Sequence, residues 1–289
     1  MSPSQDRTSG QVRNTAIIPT EENLKRIVMI GVSLGVFAID CLRRAMYVLI
    51  GKKMPATAVV LAYHSITREQ RAAFARQMDA LVRCSKPSRA DDFVFPPNGG
   101  RYTSVTFDDG YQNIVDNAIP ELALRGIPAT IFVVAGALGE IPGWEDYADS
   151  YDPDLHDPIV TAENLRRLPF DLVQIGSHTI THPNLPQLAE KQARAQLSGS
   201  RAMLKEITGQ EVSLFSFPYG SANAKLVGWC RDEGYQRVYI THPSSALSRI
   251  DGLVVSRIKA DPEDWPLEFQ LKLYGTYRWR NRWRGSTSD

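Results

Sequence analysis

Ser104-Val105-Thr106-Phe107-Asp108-Asp109-Gly110 is the stretch on which the reading of the fold turns. Val105 and Phe107 alternate with small polar residues, the period of a buried strand, and the run stops at two acids and a glycine that lets the chain turn. Adjacent carboxylates at a strand end can point different ways, so one can hold a metal ion while the other stays free as a base. A second apolar run, Leu172 to Ile175, leads into Gly176-Ser177-His178-Thr179-Ile180-Thr181-His182-Pro183. Its two histidines are spaced i, i+4, which predicts both imidazoles on one side of a single helical turn. Two neutral nitrogens and one carboxylate oxygen form a set that zinc and similar divalent ions accept with a position left for water.

Thr106-Phe107-Asp108-Asp109-Gly110, His178-x-x-x-His182-Pro183 and Phe217-Pro218-Tyr219-Gly220, in that order, resemble the first three motifs of the NodB-like polysaccharide deacetylases, carbohydrate esterase family 4. The resemblance covers residues 56–271. It implies an α/β fold, a distorted (β/α) barrel with its site at the carboxyl ends of the strands. It also implies Asp109, His178 and His182 as ligands of one divalent ion, zinc first among candidates, and Asp108 as general base. The backbone N–H of Tyr219, beside Pro218, would face the oxyanion. The family's third motif begins with an arginine where this chain has Ser216, and Arg257, at the end of the last predicted strand, is the substitute expected to hold Asp108. The family's Leu-x-His motif is not evident. Asp261-Pro262-Glu263-Asp264-Trp265 resembles the fourth motif in letters but falls after the last strand.

Outward from these motifs, 289 residues at 43% hydrophobic suffice for one large α/β domain with terminal extensions. Lys plus Arg at 33 nearly balance Asp plus Glu at 32, so no global field favours nucleic acid. Cys41, Cys84 and Cys230 are odd in number and far apart, which suggests neither a disulfide framework nor a thiolate zinc site. Residues 1–20 read as a disordered tail. Residues 21–55 contain a strongly apolar run, 27–42, interrupted by Asp40 and followed by Arg43 and Arg44. It is short of the ~20 residues of a spanning helix and does not make a convincing signal peptide. The expectation is a helix packed on the barrel or lying at a membrane surface, residues 27–50 being the contact, in a bacterial-type protein that is cytoplasmic or peripherally membrane-associated.

Ala58 to Tyr63 is an almost continuous apolar run, as in a parallel strand covered on both faces, and it ends at His64. His64 is either a histidine serving the site or one satisfied at the barrel rim. Further strands are expected at 129–134, 212–217, 237–240 and 253–258, and helices at 68–82, 113–124, 165–168, 187–207 and 223–233. The segment 139–158 is aromatic and acidic without periodicity; Trp144, Tyr147, Tyr151 and His156 could line a glycan groove or pack at the rim. His242 is a further candidate on the substrate side. Residues 272–289 form a basic, aromatic tail in which 274–284 alternates arginines with Trp279 and Trp283, suited to interfacial or glycan contact or to a solvated extension.

The chemistry expected is metal-dependent removal of N-acetyl groups from N-acetylhexosamine units of a polysaccharide or lipid-linked glycan. An O-deacetylase would use the same machinery. Ser216 and the missing acid motif also suit a catalytically impaired glycan-binding protein, and two histidines with one carboxylate suit a non-haem iron oxygenase.

Overall fold

The computed structural model describes residues 21–54, 56–92, 99–144, 157–241 and 252–279. The expectations for residues 1–20, for Tyr147, Tyr151, His156 and His242, and for the tail beyond Trp279 lie outside the described residues. The chain begins with α1 (Glu21–Leu49), β1 (Thr57–Tyr63), α2 (Arg71–Cys84), β2 (Lys86–Pro87) and β3 (Arg101–Phe107). A π-turn (Ile114–Ala118) leads into α3 (Ile119–Ala123), followed by β4 (Ala129–Val133), α4 (Ala162–Arg166), β5 (Val173–Ser177) and α5 (Glu190–Thr208). The last elements are β6 (Leu214–Ser216), α6 (Ala224–Asp232), β7 (Arg237–Ile240), β8 (Val254–Ser256), β9 (Ile258–Lys259) and α7 (Pro266–Leu273).

The strands lie in the order β8-β7-β6-β5-β4-β3-β1-β9, with β2 added beside β3, and every pairing is parallel. The two edge strands are neighbours in sequence, parted only by Arg257. The stretch 254–259 therefore pairs β7 with its first half and β1 with its second. Arg257 donates its N–H to the Ile240 carbonyl (2.9 Å) and Ala260 to that of Ala62 (2.9 Å), so the sheet is nearly closed into a distorted barrel by one split stave.

Alternation along the strands builds two cores. Val59, Leu61, Val105, Phe107, Ile131, Val133, Val173, Ile175, Phe215, Val238 and Ile240 belong to the core shared with the helices, as buried parallel strands require. The intervening positions give a second cluster, Val60, Phe132, Leu214 and Tyr239, with Ala90 at one end, where the Tyr239 hydroxyl donates to the Ala90 carbonyl (2.5 Å). Gly176 faces Phe132 in this interior: a Cβ there would lie 2.3 Å from the ring.

The helix expected over 113–124 starts as a π-turn because Pro120 has no N–H to give the preceding turn. Asp40 does not interrupt α1, since it pairs with Arg44 one turn on (2.7 Å). Among the described residues no helix is long and apolar enough to cross a membrane. The start of the tail is packed, not solvated: Thr276 and Tyr277 are buried, Tyr274 stacks on Phe37, and the Trp279 indole donates to Ser33 (3.0 Å).

Gly176→Ala is expected to destabilise the protein by about 1–3 kcal/mol, because the enclosed Phe132 ring has nowhere to retreat. Denaturant titration measures it; a midpoint unchanged from wild type would contradict this packing.

Candidate active site

Asp108 follows β3 directly and stays in its ladder, donating its N–H to the Tyr63 carbonyl (2.9 Å). Ser104, Thr106 and Asp108 share the inward side, which carries the Asp108 carboxylate to the barrel mouth. Asp109 then breaks the alternation with φ 65°, a left-handed backbone that turns its side chain away from its neighbour's. The two carboxylates acquire different partners for this reason.

His178 continues β5 by donating its N–H to the Val133 carbonyl (2.9 Å). The residues after it are not the helical turn that the i, i+4 spacing predicts. Thr179 (φ 72°) and His182 (φ 56°) are left-handed, the Thr179 hydroxyl accepts from the His182 N–H (2.9 Å), and Gln196 Oε1 accepts from the N–H groups of Ile180 (2.9 Å) and Thr181 (3.1 Å). A turn pinned by α5 brings the imidazoles together instead.

The Nε2 atoms of His178 and His182 each lie 3.4 Å from Asp109 Oδ1, and all three residues are buried. That separation is the edge of a tetrahedron with arms of about 2.1 Å, an ordinary zinc–ligand length. Three observations fit a cation. Asp109 Oδ1 is buried without a hydrogen-bond partner. His178 Nδ1 lies 2.8 Å from the Ser216 carbonyl, which takes the N–H and leaves the Nε2 lone pair facing Asp109. Burial pushes His182 down to about 4, despite Asp109, so its imidazole is neutral at pH 7. Burial works against both charged forms, yet the pairing holds Asp109 below the usual carboxylate range and raises His178.

Asp108 is engaged elsewhere. Its oxygens accept from Arg257 Nη1 and Nη2 (2.7 Å each), while Nη2 also donates to Ser216 Oγ (2.8 Å) and Nη1 to Thr106 Oγ1 (3.2 Å). The guanidinium stands 5.3 Å over the Phe132 ring. Burial raises the Asp108 pKa, but Arg257 and then His178 outweigh it, and the carboxyl falls well below its usual range. Serine at 216 leaves the space that Arg257 enters from the closing stave.

His64, at the end of β1, is half-buried and close enough to contribute to the electrostatics of Asp108, Asp109 and His182. Tyr219 (φ 59°) sets its ring edge-on to His182 at 4.8 Å, its hydroxyl 3.5 Å from the His182 carbonyl, with Pro218 buried before it. Trp144 also stacks on His182 (4.6 Å, 29°). Beside them opens a cavity of about 490 Å³ lined by Trp144, His182, Pro183, Asn184, Leu188 and Tyr219. Asp264 lies away from this cluster, bound by Lys272 Nζ (2.6 Å), so the late Asp-Pro-Glu-Asp-Trp run serves α7. Sequence reasoning missed Thr106, Thr179 and Gln196; only the Thr-Phe-Asp-Asp-Gly string pointed to the first.

The polysaccharide deacetylase family model matches residues 96–238. The chain carries a polysaccharide deacetylase domain. It is 28% identical over 159 residues to YxkH of Bacillus subtilis (strain 168), a protein named provisionally as a polysaccharide deacetylase; the match takes in 55% of this chain and 51% of that one. The chain thus spans about half the length of this curated relative. IcaB from Ammonifex degensii has the same fold, with TM-score 0.60 at 23% identity over 76% of this chain and 98% of that one. So does the Streptococcus pyogenes deacetylase PplD in complex with acetate, with TM-score 0.61 at 17% identity over 76% and 99%.

Because Asp108 and Arg257 are both enclosed, Arg257→Met is expected to cost about 3–5 kcal/mol by leaving a buried carboxylate unpaired, and Arg257→Met with Asp108→Asn to recover part of it. The depressed Asp108 pKa stabilises the fold fully above the unfolded-state value of about 3.9, and this contribution is lost as pH falls toward the folded-state value. Denaturant titrations of wild type and Asp108→Asn at several pH values should therefore converge only below about pH 4; a gap independent of pH would contradict the assignment.

Proposed function

We propose that the chain is a metal-dependent deacetylase that hydrolyses the N-acetyl group of N-acetylhexosamine units in a polysaccharide or lipid-linked glycan. The observation that carries this reading is the pairing of a buried, unsaturated Asp-His-His set with a second carboxylate held ionised beside it by Arg257. Asp109, His178 and His182 would hold the ion, zinc being the first candidate for this donor set. A bound divalent ion supplies a Lewis acid and lowers the pKa of its water toward ~7.

The remaining work falls to the chain. Asp108 takes the proton of the attacking water as general base, a role that requires it to be ionised and off the metal. Arg257 positions Asp108 by a two-pronged contact. The backbone N–H of Tyr219 donates to the oxygen that becomes negative as the acetyl carbon turns tetrahedral. His64, beside the carboxylates, protonates the departing amine. Pro218 and Tyr219 shape the wall of the adjoining cavity, and Trp144 and Asn184 give it two buried polar atoms without a hydrogen-bond partner, the indole Nε1 and the amide Oδ1, suited to sugar hydroxyls. An impaired binder is the weaker reading, because Arg257 supplies the guanidinium that Ser216 lacks. An oxygenase has no use for the second, ionised acid.

Acetate release from N-acetylglucosamine oligomers, with and without chelator, tests the proposal. Chelation should abolish release. Asp108→Asn should lower kcat by about 10²–10⁴ with metal content unchanged, and His64→Gln by a similar range. Undiminished release by Asp108→Asn would remove that residue from its role, and release unaffected by chelator would end the metal reading.

A further inference from the structure

α1 sets Ile30, Met29 and Phe37 against the barrel core, yet unlike an ordinary surface helix it leaves an apolar face outward as well. Among its residues from Arg26 to Leu42, Arg26, Ser33 and Asp40 all turn inward, where Arg26 pairs with Glu268 (2.8 Å), Ser33 accepts from Trp279 (3.0 Å) and Asp40 holds Arg44 (2.7 Å). The outward side carries Leu24, Ile27, Val28, Val32, Leu34 and Ile39, and continues through Leu42, Met46, Val48, Leu49 and Ile50, all exposed. From Ile27 to Ile50 this stripe runs about 35 Å. Soluble monomers rarely leave so long an apolar face open unless something covers it.

The charges on this face indicate the occupant. From Ile27 to Lys53 the exposed ionic side chains are Arg43, Lys52 and Lys53, all basic, and no exposed acid stands among them. Glu21, at the far end of α1, is already paired with Lys25 (2.8 Å). Among the described side chains of α1, a second copy of the face would therefore bring these cations no exposed carboxylate but Glu21, which Lys25 already holds. A helix with an apolar face flanked by basic residues suits the interface of an anionic bilayer.

We propose that the outward face of α1 docks on the surface of a membrane carrying anionic lipid. The geometry sets the orientation. Arg26 reaches Glu263 and Glu268, which follow the mouth end of β9, whereas Asp40 lies within 4.0 Å of Arg101 at the opposite end of β3. The helix thus runs alongside the barrel from mouth to base, and docking it flat lays the barrel on its side with the mouth opening along the membrane. The proposal is independent of the metal-site reading and stands or falls without substrate.

Sedimentation of the full chain with vesicles of phosphatidylcholine alone, or mixed with phosphatidylglycerol, tests it. Wild type should bind, more tightly to the anionic vesicles. Ile39→Glu with Leu42→Glu should weaken partitioning by more than about tenfold, since each change puts a charge where an apolar side chain would be buried. Both positions are exposed, so thermal unfolding should be unchanged; Leu42→Gln serves as the milder variant. Arg43→Glu with Lys52→Glu should remove the preference for phosphatidylglycerol. Wild type remaining in the supernatant with both vesicle types, or partitioning indifferent to the Ile39 and Leu42 changes, would overturn the proposal. A vesicle-indifferent dimer in sedimentation equilibrium that the same changes dissociate would assign the face to a second copy instead.

Discussion

The rest of the structure depends on the buried pair between Asp108 and Arg257. A carboxylate enclosed at the mouth of a barrel would ordinarily take up a proton, because burial penalises its charge. Two guanidinium donors at 2.7 Å reverse that outcome. Arg257 is also the residue at which the sheet closes: its backbone completes the ladder with β7, and its side chain crosses the interior over Phe132 to reach β3 and β6. Closing the barrel and ionising the acid are thus the work of one residue. Buried ion pairs seldom add net stability over an apolar replacement, so retaining this one is better explained by the charge it maintains at the site than by the strength of the fold.

Much of this was legible in the sequence, for identifiable reasons. Buried parallel strands announce themselves as short apolar runs, and the runs at 58–63, 129–134 and 237–240 correspond to strands. Arg257 drew notice because it ended the last run while Ser216 left a charge unaccounted for. The helical turn predicted for His178 to His182 failed because spacing carries no information about the left-handed residues between them. The polarity of α1 was illegible for a different reason: the apolar run shows that the helix has an oily face but not whether that face meets the barrel. Contacts such as Arg26 to Glu268 turn most of that face outward, while Met29, Ile30 and Phe37 pack inward. Likewise Trp279 reads as an anchor in an Arg/Trp tail, but the structure turns it onto Ser33.

The cost of the site is visible in the backbone. Among the described residues the non-glycine positions with positive φ are Asp109, Thr179, His182 and Tyr219, and all four stand at the barrel mouth. Such conformations cost of order 1–3 kcal/mol each and persist only where surrounding contacts over-determine them. Here the contacts can be named. Val134 donates to the Asp109 carbonyl and Ala135 to that of Thr179; the Thr179 hydroxyl takes the His182 N–H; the Tyr219 ring packs on the imidazole of His182. The Thr179–His182 bond pins its own turn, and the other contacts join the loop after one stave to its neighbour, so the strain is distributed over the mouth. That coupling explains how two imidazoles and a carboxylate can be held 3.4 Å apart, with one oxygen unsatisfied, by protein contacts alone. Strand ends fix the position of each side chain, and the left-handed residues, which no regular element would supply, fix its direction.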